Sequence, residues 1–440
     1  MDNVNPWRQL PHEVYEKHMG HEHVRASAFT TAQKRAKKFI KNDQNVFRVI
    51  TSNYIYEVIE VKKGRILSLT RLIVSVSRID DPRRQWGNLM HKLVDILVLA
   101  LFAIICKCES WEEIEDYGRA KEEWLRGFLP LKNGIPSADT FRRLFERINP
   151  VELENAYREW VTPYVGGCLH KQIGFDGKTV CGASKMRGDE NNLHMVSAWV
   201  REDGIALGQI KTDEKSNEIK AIPKLLSALD VRGGIVTIDA MGCQRTIAEQ
   251  IVEQEAHYVL AVKNNQPTLY EETAEYFTWA THDEIEQKKL DVHKHTEKSH
   301  GRIVTRKITT TTDIEWFESK HEWKSLRTLI MVERKRIAKE ETRVERQYYI
   351  SSLQASAEKF SSLIRGHWSI ENQLHWVLDA TFHEDSSLIR KDHSPQNLST
   401  LRKIALALLK KDSSRKASLR RKQNFAAWDN DFLASLFALE

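Results

Sequence analysis

The sequence has few cysteines, no long hydrophobic run and only a small net charge, and each of these absences excludes a class of protein. Five cysteines scattered over 440 residues predict reduced thiols, with neither a disulfide framework nor a zinc site. The longest apolar run, 96–106, is about half of what crosses a bilayer, so it predicts a buried helix and no membrane partner. The N-terminal residues lack the apolar core of a signal peptide, which predicts a cytoplasmic protein.

The net charge is +6, which permits a nucleic-acid partner without requiring one. The basic residues are concentrated in two clusters, 34–41 and 410–422. Such clusters are either solvated surfaces or contacts to phosphates. If the second cluster contacts DNA, its candidate residues are Arg420, Arg421 and Lys422.

A short apolar stretch in the middle of the chain ends in a carboxylate. The sequence GGIVTIDAMGCQ at 233–244 has two glycines, then a β-branched run typical of a buried strand, and then Asp239. A carboxylate at the end of a buried strand needs a partner to offset its desolvation. Asp239 is therefore either a ligand of a cation or the first residue of a turn.

The elements around this stretch follow the order βββαβαβ. Three strand-like runs at 171–180, 193–200 and 205–213 precede a helix, the strand at Asp239, a second helix and a strand at 257–263. This order matches the ribonuclease H-like fold, in which the first strand lies beside the fourth. By that analogy, Asp176 and Asp239 project into one site.

A site of this kind needs a third carboxylate, because two cations that bridge one phosphate require ligands from several directions. Glu371 is the candidate, on a predicted helix. His375 and Asp379 follow at four-residue steps, which places all three on one helical face. His375 is either a further metal ligand or a packing residue.

Six motifs together resemble the bacterial insertion-sequence DDE transposases of the H-repeat-associated (ISAs-type) group. The resemblance covers about residues 78–412 and is carried by FDGKT at 175–179, LHMVSAW at 193–199, KSNEIKAIP at 215–223, TIDAMGCQ at 237–244, VLAVKNNQ at 259–266 and HWSIENQLHWVLD at 367–379. It implies that Asp176, Asp239 and Glu371 are the catalytic triad and hold two Mg²⁺ ions, for which Mn²⁺ can substitute. The implied partner is double-stranded DNA, both the terminal inverted repeats and the target. A homodimer at synapsis and association with the bacterial nucleoid are implied as well.

The sequence also departs from related transposases. Their Tyr, Arg, Glu, Lys signature falls here on Ile364, His367, Glu371 and Leu378, and only the glutamate matches. We therefore expect His367 or the nearby Arg365 to replace the arginine at the phosphate.

Two lysines within the matched motifs, Lys178 and Lys263, are assigned to DNA as well.

The domain organisation follows from changes in composition and from the resemblance. Residues 1–77 form an extension of unknown role, which includes an alternating, strand-like stretch at 45–63. Residues 78–166 form a helical, transposase-associated domain with a capping box at Ser110 and an N-cap at Asn149. This domain either reads DNA through Arg142 and Arg143 or is a purely structural bundle.

The remainder, 167–412, is the catalytic domain, with a β-rich insertion at about 267–354 and a basic segment at 413–440. Three alternating runs in the insertion, at 302–313, 325–337 and 342–353, predict an inserted sheet. Trp316 and Trp323 either stack on an unpaired base or pack in the core.

The predicted fold class is therefore α+β: a helical domain before a ribonuclease H-like domain with a mixed sheet and a β-rich insertion. The expected function is Mg²⁺-dependent hydrolysis at element ends, followed by transfer of the 3′ hydroxyl into target DNA. Two alternatives remain at this point. One is a metal-dependent nuclease without strand transfer, and the other is a degenerate copy that only binds DNA.

Overall fold

A computed structural model gives the architecture of the chain. It describes residues 46–50, 55–59, 67–83, 89–180, 193–212, 218–299, 302–338 and 341–437. The basic cluster at 34–41 lies outside the described residues, as does the start of the KSNEIKAIP motif. No helix in these ranges is long and apolar enough to cross a membrane.

The first described element is a hairpin, in which β1 (Val46–Ile50) pairs antiparallel with β2 (Ile55–Ile59) as a separate two-stranded sheet. The strand pair predicted from the alternating stretch is confirmed.

A helical region follows the hairpin. Its helices are α1 (Leu67–Val76), α2 (Leu93–Ile105), α3 (Trp111–Ala120), α4 (Glu122–Leu125), α5 (Ala138–Phe145) and α6 (Pro150–Val165). Every residue of α2 is buried, as its continuous apolar run predicts. The capping box is confirmed, because Ser110 accepts from the Glu113 backbone and Glu113 accepts from that of Ser110. Asn149 caps α6 as expected.

The structure moves the start of this region to α1, before the predicted boundary at residue 78. Helix α1 packs against α6, and Leu72 and Ile73 are almost fully buried there. Beyond α1, Arg78 forms an ion pair with Glu159 of α6. The division after residue 77 is therefore wrong, because it separates α1 from the core to which its apolar face belongs.

The catalytic region has the predicted order. Strands β3 (Gln172–Val180), β4 (Leu193–Val200) and β5 (Ile205–Thr212) are followed by α7 (Glu218–Ser227), β6 (Ile235–Ile238), α8 (Arg245–Glu253) and β7 (His257–Val262). Strand β3 pairs antiparallel with β4 and parallel with β6. The first strand therefore lies beside the fourth, as the ribonuclease H-like topology requires.

The insertion extends the same sheet and does not form a separate one. It contains α9 (Pro267–Ala280), α10 (Glu284–Gln287), β8 (Asp291–Ser299), β9 (Arg302–Thr311), β10 (Thr328–Ala338) and β11 (Glu341–Ser351). Because β11 pairs with β7, strands β3 to β11 form one sheet in the order β5-β4-β3-β6-β7-β11-β10-β9-β8. Strands β9, β10 and β11 correspond to the three predicted runs. The mainly polar β8 was missed, since it has no alternating apolar pattern.

Five α-helices of the described chain follow β11; the first packs on the sheet, and the third packs on the helical region. They are α11 (Ala357–His367), α12 (Trp376–Ala380), α13 (Ser394–Lys411), α14 (Leu419–Trp428) and α15 (Asn430–Leu436). A π-helical segment, Glu371–His375, lies between α11 and α12. Helices α14 and α15 pack on α13 and bury Leu433 and Leu436. The segment predicted as a basic C-terminal piece is thus part of the core.

Candidate active site

Asp176 and Asp239 meet where a parallel strand pair ends. The last residues paired between β3 and β6 are Phe175 and Ile238, so each aspartate directly follows one member of that pair. Strand β3 continues beyond this point against β4, whereas β6 ends. The strand register therefore places Asp176 and Asp239 next to each other, as the ribonuclease H-like order predicts.

The local turn fixes the Asp239 carboxylate. Asp239 precedes a short 3-10 helix, Ala240–Gly242, and its Oδ1 accepts from the backbone N–H of Met241 at 3.1 Å and of Gly242 at 3.4 Å. The turn interpretation of Asp239 is therefore correct for one oxygen. Within the described residues, the other carboxylate oxygen, Oδ2, accepts no hydrogen bond that would compete with a cation.

Glu371 begins the π-helical segment on the other side of the site. Its side chain is exposed, whereas His375, four residues later, is buried. A π-helical segment is wider than an α-turn and commonly marks a functional site. The three predicted acids therefore come from a strand, a strand end and a helix.

The electrostatics of Asp176 show how close the carboxylates are. Burial first, and then the charges of Asp239, Glu218 and Glu371, together raise the pKa of Asp176 to about 7, although the hydrogen bond from the backbone N–H of Gly177 opposes the rise. Like charges within a few ångströms disfavour the ionised form. A cation among these groups would favour it.

The donor chemistry of the site matches a divalent cation such as Mg²⁺, which prefers carboxylate oxygens. In the ranges that the structure describes, however, no group of three or more His, Cys, Asp or Glu is arranged so that it could hold a metal ion. Completing a coordination shell would therefore require the exposed Glu371 to approach the two aspartates, or ligands from water and substrate.

Glu218, at the start of α7, is a fourth carboxylate that the sequence did not reveal. Its Oε1 lies 2.6 Å from His194 Nε2, and the His194 Nδ1 lies 2.9 Å from Thr179 Oγ1. A Cβ on Gly177 would lie 2.2 Å from Glu218 Oε1, so a larger residue at this position would force the Glu218–His194 pair to shift. The sequence signal for this pair was the glycine of the FDGKT motif. It could not be interpreted from the sequence because its neighbour, Glu218, is distant along the chain.

Burial lowers the pKa of two histidines near the site. His375 Nδ1 lies 3.5 Å from Asp176 Oδ2, and its buried Nε2 has no hydrogen-bond partner in the described chain. Burial, together with the charges of Lys403 and Lys178, lowers the pKa of His375 to about 3. Burial also lowers the pKa of His367, whose Nδ1 lies 3.1 Å from Thr237 Oγ1. This burial disfavours the charged form of His367, and its contact to a phosphate stays a prediction.

The assignment of Lys178 to DNA is wrong, because carboxylates already surround it. Its ammonium group contacts Asp379 and lies 2.8 Å from Glu384 Oε2 and 3.6 Å from Asp385 Oδ1. The side chain is only 10% exposed. A phosphate would have to displace buried ion pairs to reach it.

The remaining candidates near the site differ in accessibility. Lys263 follows β7 and is exposed. Arg365 is half-exposed and forms an ion pair with Glu297 of β8 at 2.6 Å. In the helical region, Arg142 is bound by Asp139 and Glu146, whereas Arg143 makes only a long contact to Asp139. Their contacts to DNA stay predictions.

The C-terminal candidates separate into two kinds. Arg420 and Arg421 are exposed on α14. Lys422 is 6% exposed, donates to the Leu409 carbonyl at 3.0 Å and lies 3.0 Å from Asp412 Oδ2. The assignment of Lys422 to DNA is therefore wrong, because it joins α14 to the end of α13 inside the core.

The two tryptophans of the insertion differ in the same way. Trp323 is 2% exposed, so it packs in the core and cannot stack on a base. Trp316 is 46% exposed, with one face stacked on Tyr276 at 4.4 Å between ring centroids. Only Trp316 retains a free face.

Comparison with known proteins agrees with this geometry. Residues 170–408 match the family described as "Transposase DDE domain", and residues 73–161 match "DDE_Tnp_1-associated". The chain is 39% identical to the "H repeat-associated putative transposase YhhI" of Escherichia coli K12 over 377 residues, covering 84% of this chain and 99% of that protein. The "Putative protein YbfL" of the same organism has the same identity and coverage.

Two further similarities extend this comparison. The chain is 42% identical over 276 residues to the "Uncharacterized protein in dhlA 3'region" of Xanthobacter autotrophicus, covering 62% of this chain and 92% of that protein. A solved structure of a piggyBac transposase synaptic complex with hairpin DNA has 10% identity and a TM-score of 0.40, covering 83% of this chain and 78% of that chain. That likeness is too low to bear on function. From the match over 170–408 and the 39% identity to H repeat-associated relatives, the chain belongs to the DDE transposase family, in its H repeat-associated group.

Proposed function

We propose that the protein cuts DNA at the ends of an insertion sequence and joins the freed 3′ hydroxyl to target DNA. The observation that carries this proposal is the convergence of Asp176 and Asp239 at the end of the β3–β6 pair, with the charge of Glu371 close enough to raise the pKa of Asp176.

In this proposal Asp176, Asp239 and Glu371 hold Mg²⁺, or Mn²⁺ in its place. Divalent cations held by these residues would supply Lewis acidity for the activation of a water and for the charge on the phosphate. Asp239 is oriented by the backbone N–H groups of Met241 and Gly242, which leaves an oxygen to face the cation. The buried His375, whose Nδ1 lies 3.5 Å from Asp176 Oδ2, is proposed to orient that carboxylate.

The DNA partner in this proposal is double-stranded, and comprises the terminal inverted repeats and the target. The proposed phosphate contacts are the exposed cations Lys263, Arg365, Arg143, Arg420 and Arg421. Two element ends must be held together during joining, so the proposed working form is a homodimer at the bacterial nucleoid.

The test is incubation of the protein with Mg²⁺ and DNA that carries the inverted repeats flanking its own gene. The expected products are a 3′ hydroxyl at the element end and, with target DNA present, joined molecules. Cleavage without joined molecules would favour a nuclease, and binding without cleavage would favour a degenerate copy. Either result would overturn the proposal of strand transfer.

A further inference from the structure

Lys178 connects the two elements that carry Asp176 and Glu371. It lies two residues after Asp176 on β3, so both side chains leave the same face of the strand. Asp379, which it contacts, lies eight residues after Glu371 in the same helical segment. The Lys178–Asp379 contact therefore joins the strand that carries Asp176 to the helical segment that carries Glu371.

The ion pair is buried and has more than one member. Glu384, 2.8 Å from the Lys178 ammonium group, is 1% exposed, and Arg402 of α13 lies 3.7 Å from its other oxygen. Burial by itself would raise the pKa of Glu384, but Lys178, Arg402 and Lys403 together lower it to about 2. The carboxylate is thus charged, and its partners cannot be replaced by water.

Glu371 has no comparable support of its own. Its side chain is exposed, and within the described ranges no ion pair is formed by its carboxylate. Without a cation, the negative charges of Asp176 and Asp239 repel it. The buried Ile370, Leu374 and Leu378 anchor this segment in the core, but they offer no charge to offset the repulsion among the three carboxylates.

We propose that Lys178 is a positioning residue, which binds Asp379 and Glu384 and thereby fixes the separation of Glu371 from Asp176. The effect on metal binding rests on the proposed function, whereas the effect on the segment 371–385 does not. A lysine in this role acts on the site through the protein and contacts no DNA.

Hydrogen–deuterium exchange of the amides in 371–385 tests the inference directly. Lys178→Met, which keeps the length of the side chain and removes the charge, should raise exchange there by about tenfold. Lys178→Arg keeps the charge and should restore most of the protection. Lys224→Met, at an exposed position of α7, is the matched control and should change nothing. Unchanged exchange in Lys178→Met would overturn the inference, whether or not the protein cuts DNA.

Metal binding gives the second readout. In the absence of DNA, Lys178→Met should weaken Mn²⁺ binding by about 10–100-fold, as the loss of an outer support of a metal ligand commonly does. Its Kd for duplex DNA and the salt dependence of that Kd should equal those of the unaltered protein. A weaker Kd with a smaller salt slope would instead assign Lys178 to phosphate contact and overturn the inference.

Failure of the proposed function can be distinguished from failure of the inference about Lys178. If the unaltered protein neither binds Mn²⁺ nor cuts DNA, the proposed function fails, and the exchange measurement still decides the role of Lys178. If Lys178→Met does not fold, Asp379→Asn replaces it in both measurements, because that change leaves the buried Lys178–Glu384 pair in place. Asp379→Asn should raise exchange in 371–385 by a smaller factor, and no change would overturn the inference.

Discussion

Asp176 and Asp239 lie side by side because each directly follows one member of the last residue pair, Phe175 and Ile238, between two parallel strands. Parallel register places residues at equal distances along both chains next to each other. The closeness has an electrostatic cost, since Asp239 is among the charges that raise the pKa of Asp176 to about 7, after burial. The site is thus poised to gain stability from a cation.

Removal of any one acid of the proposed triad should abolish cleavage. Asp176→Asn, Asp239→Asn and Glu371→Gln keep the shape of each side chain and remove a ligand charge, so the fold and the affinity for DNA should remain. Cleavage of end-labelled DNA in Mg²⁺ is the measurement, with circular dichroism and a DNA-binding assay as controls. A variant that cuts at nearly the normal rate would show that its residue is not part of the triad.

Asp176→Asn should stabilise the metal-free protein, and more so at higher pH. The folded pKa of about 7 exceeds the unfolded value of about 3.9. The stability contributed by the neutral carboxyl is therefore complete below the lower value and is lost as the pH rises through about 7. An amide does not titrate and so avoids that loss. The free energy of unfolding of Asp176→Asn, relative to that of the unaltered protein, should therefore be about 1–3 kcal/mol larger at pH 8 than at pH 4.

Thermal unfolding in chelator at both pH values measures this gain. Saturating Mg²⁺ should remove it, because the cation restores the charged carboxylate. An equal difference in melting temperature at pH 4 and pH 8 would contradict the assigned pKa.

Cleavage at low Mg²⁺ should increase with pH through about 7, because a proton on Asp176 competes with the metal. Raising the Mg²⁺ concentration should move the midpoint of this profile to lower pH. Initial rates over a grid of pH and Mg²⁺ concentration measure the shift. A midpoint that does not depend on Mg²⁺ would assign the titration to a group outside the metal site.

The three basic residues of α14 should separate into two phenotypes. Arg420→Gln together with Arg421→Gln should weaken binding to all DNA sequences and reduce the slope of log Kd against log salt by about 1–2. Lys422→Met should leave that slope unchanged and destabilise the fold by about 3 kcal/mol, because it leaves Asp412 buried without its partner. Salt titrations and chemical denaturation distinguish the two, and a reduced salt slope in Lys422→Met would contradict its burial.

Deletion of residues 1–77 should strongly destabilise the protein. It removes α1, whose buried Leu69, Leu72, Ile73 and Val76 contribute roughly 1.5–3 kcal/mol each. A chain that begins at residue 64 keeps α1 and is the matched control. Denaturant midpoints compare the two, and equal midpoints would show that α1 does not belong to the core of the helical region.

Much of the candidate site could be predicted from the sequence because its signals are local. The apolar run before Asp239, the order of strands and helices, and the carboxylate on a later helix each depend on neighbouring residues. The alternation typical of a strand, the cap of a helix and the glycines that bound a strand are each recognised from a few neighbouring residues. The same is true of the Ser110 capping box and the buried helix α2.

Tertiary structure alone decided which charged and aromatic side chains are exposed and can therefore contact DNA. Lys178 and Lys422 look like DNA-binding lysines in the sequence, yet Glu384 and Asp412 neutralise them from positions far along the chain or in another element. Trp323 likewise is buried by distant neighbours. The sequence by itself determined which residues can carry charge, whereas the packing of distant elements decided which charges face solvent, because desolvation and pairing depend on neighbours in space.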